Sequence, residues 1–149
     1  MNSPGTSSPN RDQGSAVIEF IVVGVLILIP LAYIAMCVMR VQAATVASSL
    51  AVREAGRAFV SADTVQDAQT RATAAAGLAL SDQGFVLPAR SLSVRCSTSQ
   101  CLDPESTVHV ELDWAVDLPW LPGFLGKERT SIAITAQRTM PVDTYRGEQ

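Results

Sequence analysis

From Phe20 to Met39 the chain runs for twenty residues without a charge, "FIVVGVLILIPLAYIAMCVM". No other feature limits the fold as strongly. Wound as a helix at about 1.5 Å per residue, the run covers roughly 30 Å, the thickness of a bilayer's hydrocarbon core. Lipid leaves backbone polar groups no water to bond, so a single spanning segment must be helical. Pro30 falls in mid-run. It is costly inside a soluble helix but tolerated in a membrane one, where a bend is expected. Arg40 ends the uncharged stretch.

On either side of the run the sequence changes character. Residues 1–13 are rich in Ser, Pro, Asn and Gly, without apolar periodicity, and read as a disordered leader. After the run, "VQAATVASSLAVREAGRAFV" places Val41, Ala44, Ala47, Ala51, Ala55 and Phe59 at spacings of three and four. That is one helical face built mainly of small residues, which permits close packing between helices. With no proline between them, the run and this segment are expected to form one helix of about 45 residues, roughly 70 Å long. In "SADTVQDAQ", Asp63 is the expected cap of a second helix, with Gln66 as its box partner. That helix is expected from about Thr64 to Leu80, striped by Val65, Ala68, Ala72, Ala76 and Ala79 and ending before Gly84.

Beyond Gly84 the period becomes two. Leu92, Val94 and Cys96 alternate with polar residues. So do Val108, Val110, Leu112, Trp114, Val116 and Leu118, and more weakly Ile132, Ile134 and Ala136. Three half-buried strands with one face covered by helix are expected, paired as an antiparallel meander. The fold class is α+β. Its parts are a leader over 1–14, a long helix over 15–60 with a transmembrane span at about 20–39, a second helix within 61–82, and a β region over 84–149.

Several function classes find little footing. A net charge of −3 supplies no field for nucleic acid. His109 is the single histidine, and no serine or cysteine is placed beside it as a nucleophile. No enzyme, cofactor or metal site is expected. His109, Glu111, Asp113 and Asp117 read as a solvated strand face. Cys96 and Cys101, flanking four polar residues, are expected to pair in an oxidising compartment and fix a hairpin end. Cys37, inside the run, reads as a small apolar residue. "LPWLPGFLGK", residues 118–127, sets Trp120, Leu121, Phe124 and Leu125 among prolines and glycines. It either folds over the sheet or offers an apolar patch to a partner or a membrane surface. The disulfide favours an outside C-terminus, whereas Arg40, Arg53 and Arg57 outnumber Arg11 and by themselves favour the reverse.

Just before the run stands "GSAVIEF", residues 14–20. A carboxylate at the edge of a span is expensive unless paired, so Glu19 asks for a cation. Cutting the chain after Gly14 would make one: the new ammonium of Ser15 lies within about one helical turn of Glu19. Gly14, Ser15, Glu19 and Phe20, followed by an apolar helix, resemble the processing site of type IV prepilins. The wider pattern, with Pro30, "VQAA" and "AVREAGRAF" leading into a small β region, resembles TadE-like minor pseudopilins of tight-adherence (Flp) pilus systems.

The resemblance covers residues 11–60 well and the strands in outline. It implies cleavage after Gly14 by a prepilin peptidase on the cytoplasmic side, and a packing role for Glu19. The implied partners are the peptidase, other pilins, the assembly platform and membrane lipid, with the C-terminal domain extracytoplasmic. A leader with Arg11 set against Asp12 is less basic than the family's usual one. Two alternatives stand beside this reading. One is a single-pass anchored envelope domain that never joins a filament. The other is a secretory signal cut near Ala43, although the run is longer than the usual seven to fifteen residues.

Overall fold

The computed structural model describes residues 11–118 and 131–143, with side chains from Ala16 onward. Two helices precede three strands: α1 (Arg11–Val60), α2 (Val65–Ser81), β1 (Leu92–Cys96), β2 (Thr107–Asp117) and β3 (Ser131–Pro141). The chain is α+β, as the change of period predicts. It divides into two units, Met1–Cys37 and Val38–Gln149. The first takes in the upstream half of α1. The second holds the downstream half and everything after it.

In the first unit α1 is apolar and, among the described residues, uncovered. Large side chains from Val17 to Ile34 are exposed, Phe20 at 79% and Leu26 at 71%. Among its described side chains only Tyr33 and Cys37 are half-buried. Pro30 lies inside the helix without ending it. This helix is long and apolar enough to cross a membrane, with a mean hydropathy of 2.8 over its best window.

In the second unit α1 contributes to a core. Ala44, Ala47, Ala51, Val52, Ala55 and Phe59 are buried, in one cluster with Ala68, Ala72, Ala76 and Leu80 of α2 and the inner face of the sheet. The small-residue face is therefore used within the chain's own domain. Gly56 shows how close the approach is. A Cβ there would come within 2.8 Å of the Met140 sulfur on β3.

The cap of α2 falls one residue later than expected. Thr64, not Asp63, is extended (φ −128°, ψ 152°), and its hydroxyl accepts a hydrogen bond from the Asp67 amide at 3.2 Å. Asp67 adds a carboxylate in the first turn, where the helix dipole favours it, and pairs with Arg71 at 2.7 Å. The buried stripe is Ala68, Ala72, Ala76 and Leu80, whereas Val65 is exposed and Ala79 only partly covered. At the other end Gly84 takes φ +74°. Its amide reaches the Ser81 carbonyl at 2.9 Å, and the Phe85 amide reaches that of Leu80 at 3.0 Å. These two bonds are a Schellman motif, which needs a residue in the left-handed region where glycine fits best. The turn sends Phe85 into the core.

The sheet has the order β1-β2-β3, antiparallel throughout. Val94 faces Val110, Cys96 faces Val108, and Leu112 lies between Leu92 and Ala136. These residues alternate inward, as the period-two pattern requires. Val108, Val110, Leu112 and Val116 of the central strand are fully or nearly fully buried. On edge strand β3 only Ile134 is buried, which matches its weaker alternation.

Candidate functional site

The expected processing junction lies in the opening turns of α1. The helix already begins at Arg11, so Gly14 and Ser15 are helical backbone rather than the end of an unstructured leader. Glu19 follows Ser15 by four residues and is exposed. A separation of four puts two groups on the same helix face, one turn apart. Among the described residues no cation contacts Glu19. Phe20 and Met39, the ends of the uncharged run, are exposed at 79% and 69%.

Cys96 and Cys101 form a disulfide, with Cα atoms 5.2 Å apart. It closes the turn leaving β1. Beside it the buried Ser106 donates to the Cys101 carbonyl at 2.8 Å, and its own carbonyl accepts from the Val142 amide at 2.8 Å. The covalent link thus joins a hydrogen-bonded clasp between the β1–β2 connection and the residue after β3.

The outer sheet face is polar and carries the residues read as solvated. His109, Asp113 and Asp117 are exposed, and Glu111 is half-buried. His109 shares a 2.8 Å hydrogen bond between Nδ1 and the Thr139 hydroxyl. Arg95 approaches Glu111 at 3.5 Å, and Thr135 donates to Asp113. These are ordinary cross-strand pairs. Among the described residues no three His, Cys, Asp or Glu side chains come together as a metal set. Trp120, Leu121, Phe124 and Leu125 lie outside the described residues.

One group was not foreseen in the sequence. The Arg40 guanidinium stacks 4.3 Å from the Phe85 ring centre. Phe85 meets Trp114 edge to face, centroids 5.3 Å apart at 77°. Trp114 Nε1 donates to the Ser48 hydroxyl at 2.8 Å, which in turn donates to the Ala44 carbonyl at 2.7 Å. A cation–π contact, an aromatic pair and a satisfied indole N–H follow one another along α1. The available signals were a serine in an alanine face and an aromatic after a helix-ending glycine. Neither has a period that pairs it with its partner.

No protein-family model, curated protein or solved structure matches the chain.

Proposed function

We propose that this chain is a TadE-like minor pilin or pseudopilin, cut by a prepilin peptidase after Gly14, that acts in assembly of a tight-adherence pilus. One observation carries the reading. Gly14, Ser15 and Glu19 stand at the head of an uncovered apolar helix that continues without a break into a small α+β domain. Such a helix requires an apolar surrounding, which a bilayer or a bundle of neighbouring pilin helices supplies.

The mechanism is assembly rather than catalysis. The peptidase meets the junction in the first helical turns, where fraying opens the backbone at low cost. Cleavage leaves an ammonium on Ser15, one turn from Glu19. That cation neutralises the carboxylate within the chain or in a neighbour, so that Glu19 can enter an apolar packing. The alanine face of residues 44–55 is already occupied by the chain's own domain. Contacts with other subunits therefore fall to the spanning segment and the outer faces. The β domain stays extracytoplasmic, where its disulfide persists.

Mass spectrometry of the mature protein tests this directly. The expected chain begins at Ser15. An intact leader instead favours a membrane-anchored envelope domain outside any filament, and a start near Ala44 a secreted protein. Glu19→Ala is expected to be cut normally and to impair assembly, and unchanged piliation would overturn the ion-pair role.

A further inference from the structure

After Arg40, the two most exposed large apolar side chains among the described residues are Val86, at 83%, and Leu78, at 66%. They flank the Schellman turn that ends α2. Scattered singly, such residues carry no meaning, but two on one turn invite an explanation.

The position of that turn provides one. Its Phe85 lies under the guanidinium of Arg40, at 4.3 Å. Arg40 is the first charge after the uncharged run, so in a spanning helix it marks the level where headgroups begin. Phe85 also meets Trp114, itself bonded to Ser48. The turn is thus fixed at the depth where α1 would leave the bilayer, and Val86 is the next residue.

Charge agrees with this placement. The exposed Asp82 ends α2, but from Gln83 to Arg95 no further carboxylate follows, whereas Arg90 stands four residues beyond Val86. Among the described residues neither Arg40 nor Arg90 has an acidic partner. A guanidinium lying over an aromatic ring still has N–H groups at its edge free for a phosphate.

We propose that the turn following α2 rests on the bilayer surface. Val86 and Leu78 reach the boundary between headgroups and acyl chains, and Arg40 and Arg90 meet anionic headgroups. This rests on the reading of α1 as a span. It adds that the extracytoplasmic domain is held down on the membrane by a second contact, separate from its anchor.

The test uses the full chain in a Cys37→Ser background, reconstituted into vesicles of zwitterionic phospholipid with or without phosphatidylglycerol. A polarity-sensitive fluorophore is attached at Ile27→Cys, Val86→Cys or Gln69→Cys in turn. Gln69 is exposed in the N-terminal half of α2 and serves as the solvent reference. The expected result is strong quenching by spin-labelled lipid at position 27. Quenching at 86 should be several-fold above that at 69, rise with phosphatidylglycerol, and fall by half or more in Arg40→Gln/Arg90→Gln. Quenching at 27 with position 86 no different from 69 overturns the proposal and leaves the span standing. An unquenched position 27 removes the span and the proposal together.

Discussion

The two halves of α1 belong to one helix but are built for different surroundings. Upstream, large branched side chains are exposed around the whole circumference. Downstream, one face is mostly alanine, with Ser48, Val52, Gly56 and Phe59, and is buried, and the opposite face carries Arg53, Glu54 and Arg57. The upstream half has apolar area that nothing among the described residues covers. The downstream half has little apolar area per residue, but its small side chains let helix and sheet approach closely. Burial, then, cannot be inferred from hydrophobicity alone. Among the described residues, the most apolar segment is also the least buried.

The largest effect that can break this contrast is at two phenylalanines. Phe59→Ala should cost the domain about 3–5 kcal/mol, because a filled core site is emptied. Phe20→Ala should leave domain stability unchanged within about 0.5 kcal/mol. Denaturant unfolding in micelles, followed by near-ultraviolet dichroism, measures both, and equal losses would mean that the halves are not independent.

A second pair concerns lysines. Ile27→Lys should cost about 2.5–3.5 kcal/mol of insertion and reduce membrane retention, whereas Leu50→Lys should leave retention intact. Fractionation of expressing cells gives the answer. A retained Ile27→Lys would argue against the span.

The third change sharpens the downstream half. Ser48→Ala should cost about 1–3 kcal/mol, since the Trp114 N–H loses its acceptor in a partly buried site. The altered tryptophan emission should report it together with the lowered midpoint. The smallest effect is a gain. Gly77→Ala has open space around the new methyl group and should stabilise α2 by about 0.5–1 kcal/mol. A loss there would show that the position is more crowded than its surroundings indicate.

These particulars also separate what the sequence reveals from what it hides. Periodic features are readable because they repeat. The Ala44–Phe59 face, the alternation of Val108–Val116 and the weaker β3 all follow from local spacing. The cap of α2 is less readable, because Asp63 and Thr64 are both good cap residues and only backbone geometry selects Thr64. Least readable are contacts joining distant single residues. Ser48 and Trp114 are 66 positions apart, and neither betrays the other by any local pattern. The processing junction is of another kind again. Gly14, Ser15 and Glu19 are recognisable as a spacing, but the role proposed for them would depend on an enzyme and on neighbouring subunits rather than on this fold.

The discontinuous core also has a consequence in time. The alanine face of α1 is complete at Phe59 and α2 follows within a few residues, yet the central strand of the sheet that shares its core does not begin until Thr107, about fifty residues later. At a synthesis rate of about 5–20 residues per second, the face waits roughly 2–10 s for that strand. A leucine face left open that long would be an adhesive surface. An alanine face of the same length offers much less apolar area to any wrong partner, so the residues that allow tight packing in the finished domain also keep its unfinished chain from sticking.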